Sequence, residues 1–169
     1  MRKRSYTVAF IGVFTALALI LSYIEAMLPP LLASVPGIKM GLPNIIIIFL
    51  LYRKGWATAV GVSLVRILLV SLLFGNMMAL AYSLAGGVLS LAVMILFKKL
   101  NFLSTAGVSV AGGVCHNIGQ ILTAMLLLET TELGYYLVVL IVTGTVSGLL
   151  IGLCGSLLVN KIPTKLTKC

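Results

Sequence analysis

Residues 53–76 have the sequence RKGWATAVGVSLVRILLVSLLFGN, in which an apolar run is closed at both ends. The basic tripeptide RKG precedes the run Trp56–Phe74, and the dipeptide Gly75-Asn76 follows it. Gly and Asn favour tight turns, and the run has close to the ~20 apolar residues that a helix needs to cross a bilayer. This pattern predicts one membrane-spanning helix with a sharp end on each side.

The composition of the whole chain agrees with this prediction. Of the 169 residues, 61% are hydrophobic and only 9% are charged, and the mean hydropathy is +1.22. A soluble domain carries about 25% charged residues, so the surface of this chain is too apolar to face water. We therefore expect residues 1–169 to form a single integral domain in the lipid bilayer, which leaves little chain for a soluble catalytic domain.

The same alternation of apolar runs and short polar breaks continues outward from residues 53–76. It predicts an all-α fold, a polytopic bundle of six transmembrane helices at about residues 6–28, 41–52, 56–74, 77–97, 105–128 and 135–159. The second run is too short to cross alone, and it spans the membrane only if part of the preceding loop joins it. That loop, Pro29 to Leu42, is either a surface loop packed on the bundle or a lid over an outward-facing cavity.

The positions of the basic residues test this topology. With a cytoplasmic N-terminus and six spans, 10 of the 12 Lys and Arg residues lie on the cytoplasmic side: Arg2, Lys3, Arg4, Arg53, Lys54, Lys98, Lys99, Lys161, Lys165 and Lys168. Only Lys39 lies outside and only Arg66 lies within a span, in agreement with the positive-inside rule. We therefore expect both termini to be cytoplasmic. The net charge of +9 then belongs to cytoplasmic loops, and no nucleic-acid partner is expected.

The residue types that most metal-dependent enzymes require are scarce. Glu25, Glu129 and Glu132 are the three acids of the chain, Asp is absent, and His116 is the one His. Magnesium-dependent phosphoryl or prenyl transfer uses clustered carboxylates, and a zinc site needs several His, Cys or acidic ligands. We therefore expect no catalytic residues, no metal and no cofactor, and we expect that the chain is not an enzyme.

Arg66 lies near the middle of its predicted span, where an unpaired charge costs at least ~2.5 kcal/mol. Its side chain should therefore face the inside of the bundle or a wet cavity. Arg66 is either the counter-charge of an anionic ligand, or it pairs with a backbone carbonyl or with Glu25, the only acid within a span. A neutral pair of Arg66 and Glu25 would still form one wall of a pocket.

The fifth span carries a polar cluster. His116 and Gln120 are four residues apart and share one helix face, and Asn117 lies beside them. The cluster either orients a small polar ligand or makes hydrogen bonds between helices. The remaining candidate substrate-binding residues, besides Glu25 and Arg66, are those on the outer side of the predicted topology, namely Lys39, Asn44 and Asn76.

Small residues recur at a spacing of four in several spans. Gly12 and Ala16 show this spacing in the first span, and Gly144, Gly148 and Gly152 show it in the sixth. Such a spacing lets two helix backbones approach closely. We expect most of these faces to pack within the bundle and some of them to dock a partner protein.

Four segments carry a resemblance to a known family: GLPNIIIIFLLY (residues 41–52), RILLVSLLFGN (66–76), SLAGGVLSLAVM (83–94) and GVCHNIGQ (113–120). With this combination the chain resembles the Gx transporter family, whose members are commonly labelled heptaprenyl diphosphate synthase component I. The match to this family covers roughly residues 8–155, and the chain is also similar to the S components of energy-coupling-factor transporters. Those proteins carry a small-xxx-small motif where this chain has Gly12 and Ala16.

The resemblance implies two different functions in the plasma membrane of a bacterium. An S component would bind a small solute, dock a transmembrane coupling subunit through Gly12 and Ala16, and depend on separate ATPase subunits, since the chain has no nucleotide-binding loop. S components for nickel or cobalt carry a His near the N-terminus, which this chain lacks, so an organic solute is expected. A synthase component I would instead be a non-catalytic accessory subunit in menaquinone side-chain synthesis. A self-sufficient oligomeric transporter is a third alternative.

Overall fold

The computed structural model describes residues 2–27 and 41–162, and every regular element within these ranges is helical, which confirms the all-α prediction for them. The α-helices are α1 (Arg2–Met27), α2 (Asn44–Arg53), α3 (Trp56–Phe74), α4 (Met77–Leu100), α5 (Thr105–Leu127) and α6 (Leu137–Lys161), with a 3-10 helix, Glu132–Tyr136, before α6. Lys39 and almost all of the predicted lid loop lie outside the described residues.

Local sequence signals explain where the helices begin and end. The side chain of Asn76 accepts a hydrogen bond of 2.8 Å from the N–H of Ala79 and caps α4, and Ser104 caps α5 in the same way. Gly55, before α3, has a φ of 103°, which only glycine adopts at little cost. The largest difference from the predicted ends is at α1, which begins at Arg2 instead of residue 6.

Within residues 2–27 and 41–162, five helical segments are long and apolar enough to cross a membrane: α1, α3, α4, α5 and the segment Glu132–Lys161 that contains α6. These segments give the chain the architecture of a multi-pass membrane protein. In contrast, α2 has 10 residues, and its length of about 15 Å is half of the ~30 Å hydrocarbon core. The sixth crossing, and the side of the membrane on which each terminus lies, therefore stay predictions.

The short helix α2 is apolar on all sides and is enclosed by its neighbours. Residues 46–51 are each at most 7% exposed, and Phe49 is fully buried. The ring of Phe49 stacks on the ring of Phe14 in α1, with 5.1 Å between the centroids. Gly155 of α6 leaves the space that Ile48 fills, since a Cβ at that position would overlap the Ile48 side chain. A helix that is hydrophobic all round needs such an interior position, so α2 is the centre of the hydrophobic core.

Basic side chains join several helix ends at one end of the bundle. Arg53 Nη2, at the end of α2, donates hydrogen bonds to the carbonyls of Val159 and Ile162 at the end of α6. Lys98 Nζ, in the last turn of α4, donates to the carbonyl of Leu51. The last carbonyls of a helix lack partners within the helix, and cations beside them are stabilising. We call this end of the bundle the basic end; Lys54, Lys99 and Lys161, at the ends of α2, α4 and α6, also lie here.

Glycines allow α4, α5 and α6 to pack backbone against backbone. A Cβ added at Gly148 of α6 would lie 2.8 Å from the Cα of Val110 in α5. A Cβ added at Gly119 of α5 would lie 2.9 Å from the Cα of Gly86 in α4. Both distances are shorter than any ordinary van der Waals contact of carbon atoms. The spacing of four in α6 therefore serves packing within the bundle.

Lys98→Met is expected to lower the free energy of unfolding by about 1.5–3 kcal/mol, the range for hydrogen bonds to charged groups, because the carbonyl of Leu51 loses its donor. Lys99→Met is the matched control, since Lys99 is the next residue of α4 and is exposed. The control is expected to change stability by less than ~0.5 kcal/mol. Denaturation of both variants in the same detergent measures the difference, and equal stability would show that the Lys98 contact contributes nothing.

Candidate functional site

The shortness of α2 places its first turn halfway along the bundle. From Arg53 at the basic end, α2 rises by about 15 Å at 1.5 Å per residue. By the same arithmetic, Arg66 lies about 15 Å from the start of α3 and His116 lies about 17 Å from the start of α5. Polar side chains of α3 and α5 therefore meet the beginning of α2 at one level, in the middle of an apolar bundle.

A cavity lies at this level and is here called the central cavity. Its polar wall is formed by Ser22, Glu25, Asn44, Arg66, His116 and Gln120. The volume is about 60 Å³, and since one water molecule needs ~10–15 Å³ of such space, about four or five waters fit. The structure thus brings together five of the predicted substrate-binding residues, namely Glu25, Asn44, Arg66, His116 and Gln120.

Arg66 and Glu25 interact electrostatically in the wall of the central cavity. The carboxylate of Glu25 also accepts a hydrogen bond from the backbone N–H of Gly41, just before α2. The Nε atom of Arg66 is buried and has no hydrogen-bond partner among the described residues. A buried donor without a partner costs about 1–3 kcal/mol. Arg66 therefore interacts with Glu25, as one of the sequence-based interpretations expected, while its role as the counter-charge of a ligand stays a prediction.

His116 and Gln120 reach the central cavity because α5 packs very closely on α4. A Cβ added at Gly86 of α4 would lie 2.7 Å from the carbonyl oxygen of His116 and 2.9 Å from the Cγ of Gln120. The glycine therefore permits the approach that brings this face of α5 to the cavity. Within the described ranges, no group of three His, Cys, Asp or Glu side chains that could hold a metal ion converges.

Asn117 serves a different purpose from its two neighbours in the cluster. Its side chain is buried, and Nδ2 donates a hydrogen bond of 2.7 Å to the carbonyl of Leu140 in α6. This bond joins α5 to α6, which is the interhelical alternative that the sequence left open for the cluster. Asn117 also lines a smaller cavity of about 20 Å³, which shares Asn44 and His116 with the central cavity.

A larger cavity, here called the outer cavity, lies between α4, α5 and the 3-10 helix at the end of the bundle opposite the basic end. Its volume is about 420 Å³, and its apolar lining includes Met78, Ala79, Ile121, Leu128, Leu133 and Leu140. Asn76 lies here and not in the central cavity, because its side chain caps α4. Gln120 lines both cavities, so the two are adjacent at this residue.

Sequence reasoning missed three hydroxyl groups of the central cavity. Ser22, Ser71 and Ser83 line it together with the predicted residues. Serines within apolar helices usually bond to the carbonyl four residues earlier, and Ser22 Oγ does so with Ala18 at 2.8 Å. A serine in an apolar run is therefore a poor signal for a cavity, and only the packing of α1, α3 and α4 identifies these.

The predicted docking motif of α1 is not used for packing within the described chain. Gly12 and Ala16 are both exposed, and a Cβ added at Gly12 would meet no atom within 4 Å. In this respect Gly12 differs from the buried glycines of α4, α5 and α6. The small-residue face of α1 is thus open to lipid or to another protein.

Comparison with known protein families gives a match over most of the chain. The family model for heptaprenyl diphosphate synthase component I matches residues 14–158, a range that runs from the first half of α1 to near the end of α6. This match confirms the resemblance to the component I family seen in the sequence, and it includes all described residues of the central cavity. No curated protein and no solved structure is significantly similar. The chain belongs to the heptaprenyl diphosphate synthase component I family.

Proposed function

We propose that this protein is the membrane-embedded substrate-binding subunit of an uptake transporter for a small organic solute in a bacterial plasma membrane. The observation that carries the proposal is that Arg66 lines the central cavity beside Glu25, while its buried Nε atom has no hydrogen-bond partner among the described residues. Charged residues inside membrane bundles are costly and usually mark a ligand or ion pathway.

In this proposal, each residue of the central cavity has its own role in binding the solute. Arg66 donates a hydrogen bond to an acceptor on the solute, and Glu25 offsets the charge of the guanidinium so that the cavity is tolerated in the membrane. His116 and Gln120, which share one face of α5, orient the polar group of the solute, and Asn44 lines the cavity from the start of α2. The solute enters from the outer side, and its binding displaces the few waters for which the cavity has room.

Separate subunits supply the energy in this proposal. The exposed Gly12 and Ala16 face of α1 packs on a transmembrane coupling subunit, since small residues allow close helix contact in membranes. ATP hydrolysis in further subunits then tips the binding protein and releases the solute into the cytoplasm. The chain itself performs no catalysis.

Gly12→Leu is expected to reduce the amount of coupling subunit that co-purifies from native membranes by at least about tenfold, because the larger side chain prevents close helix contact. A loss of only ~1.4 kcal/mol in binding free energy lowers the affinity tenfold. Gly61→Leu is the matched control, because Gly61 is also an exposed helix glycine with no atom near its added Cβ. Quantitative mass spectrometry of affinity-purified complexes measures both variants. Undiminished recovery with Gly12→Leu would show that this face is not the docking surface.

The name of the family favours a second candidate function. It describes a component of heptaprenyl diphosphate synthase, and a membrane bundle with no Asp would then serve as a non-catalytic accessory subunit. This alternative predicts co-purification with a soluble prenyltransferase in place of ATPases. It also predicts that heptaprenyl diphosphate formation in membranes falls when the protein is deleted, whereas the transport proposal predicts no change in that activity.

A further inference from the structure

We propose that the ligand of this protein is a small amphiphile, whose compact hydrogen-bond-accepting head occupies the central cavity and whose apolar body occupies the outer cavity. The inference rests on the proposed function and specifies the class of its solute. It follows from the volumes of the two cavities, from the polarity of their walls and from the residue that lines both of them.

The central cavity alone is too small for an organic solute. At about 60 Å³ it lies well below the ~300–1,000 Å³ that is usual for small-molecule sites. It suits a group of a few heavy atoms, such as an amide or a carboxyl. Arg66 and Glu25 both line the cavity; a guanidinium donates hydrogen bonds and a carboxylate accepts them, so a head that carries both an acceptor and a donor complements the pair.

The outer cavity has the size and polarity for the rest of the molecule. Its volume of about 420 Å³ lies within the usual ~300–1,000 Å³ range, and most of its lining is apolar. Along α5, the cavity extends from Gln120 to Leu128, a rise of about 12 Å at 1.5 Å per residue. The hydroxyl-bearing rings of Tyr82 and Tyr136 add polar contacts to its wall.

Gln120 connects the two parts of the site. It lines both cavities, so a molecule bound with its head beside Arg66 passes Gln120 on the way to the outer cavity. The small size of the central cavity also excludes a phospholipid headgroup, which is far larger than the four or five waters or so that fit there. The occupant is therefore a free solute with a compact head.

The test compares 2-naphthamide, which has both head and body, with naphthalene and with acetamide, by equilibrium binding to the protein in lipid nanodiscs. 2-Naphthamide is expected to bind at least about tenfold more tightly than either half-molecule. Ala124→Phe, which fills the outer cavity, and Arg66→Gln are each expected to weaken its binding by at least about tenfold. Ala92→Phe is the matched control, because Ala92 is exposed on α4, and it should leave binding unchanged.

The outcomes separate this inference from the proposed function. If Arg66→Gln weakens binding and Ala124→Phe does not, the central cavity binds the solute but the inference is wrong. If neither variant changes binding, Arg66 does not bind the solute, and the result contradicts the proposed function as well as the inference. Naphthalene binding as tight as 2-naphthamide binding would mean that the outer cavity holds any apolar group, such as a lipid tail, and would overturn the inference, as would no binding of 2-naphthamide. Ala124→Leu fills less of the outer cavity and should cause an intermediate loss of 2-naphthamide binding. This variant keeps the test informative if Ala124→Phe does not fold.

Discussion

Replacing Arg66 with Gln is expected to abolish the binding of the solute that the wild-type protein retains through purification. Truncating one partner of a buried, hydrogen-bonded charged contact costs at least ~2 kcal/mol, which corresponds to an affinity about 30-fold lower. The loss has a specific cause, since the variant removes the buried Nε donor that has no partner among the described residues. The ratio of bound small molecule to protein in native mass spectra measures the effect.

Two further variants separate this loss from a general loss of stability. Arg66→Gln leaves Glu25 without the cation that interacts with it, and unpaired buried charges destabilise proteins. The double variant Glu25→Gln with Arg66→Gln removes both charges, and we expect it to regain stability without regaining the solute. Lys99→Gln, at an exposed position of the basic end, should retain the solute fully. A stable Arg66→Gln protein with wild-type occupancy would contradict the assigned role.

Gly148→Leu is expected to have the largest effect on stability, a loss of more than about 3 kcal/mol, which is the upper end of the usual range for overpacking. Its first added atom would already lie 2.8 Å from the Cα of Val110 and 3.0 Å from the carbonyl oxygen of Ser109. Both neighbours are backbone atoms of α5, so no side chain can rotate away, and α5 and α6 must separate. Gly148→Ala is expected to lose about 1 kcal/mol, because one methyl group requires a smaller shift.

Gly61 provides the control for this prediction. It lies in the middle of α3, is exposed, and would have no atom within 4 Å of an added Cβ. Gly61→Ala should be neutral or slightly stabilising, because Ala favours the helix by up to ~1 kcal/mol over Gly. Thermal unfolding of the four variants at Gly61 and Gly148, with Ala and Leu at each, makes the comparison. Equal losses at the two positions would show that the contact between α5 and α6 is not tight.

The ends of the helices could be predicted because each depends on a local signal. Charged residues such as Arg53 leave the apolar core, and the pair Gly75-Asn76 forms a turn whatever surrounds it. The positions of Arg66 and His116 along their helices could be predicted as well, since they depend only on counting residues from the start of each helix. The sequence also placed Lys98 at the edge of a span, although its bond to the carbonyl of Leu51 depends on packing.

The composition of the central cavity could be predicted only in part. Glu25, Asn44 and Arg66 were predicted as members of one set and do line the same cavity, but the reason that Asn44 lies at the level of Arg66 is the half-length of α2 and its place in the core, which periodicity does not reveal. Asn76 was predicted for the same set, but its side chain caps α4. The outer cavity gave no sequence signal, because residues such as Ile121 and Leu128 are of the same type whether they face a cavity, a neighbouring helix or lipid.

The central claim, that this protein binds a solute for a transporter energised by other subunits, is tested most directly by native mass spectrometry of the complex extracted gently from its own membranes. We predict a complex that contains a transmembrane coupling subunit, ATPase subunits and one small organic molecule, with that molecule absent when Arg66 is replaced by Gln. A complex that contains only a soluble prenyltransferase subunit, and no bound small molecule, would contradict the claim and would assign Arg66 and His116 to the structure of a membrane scaffold.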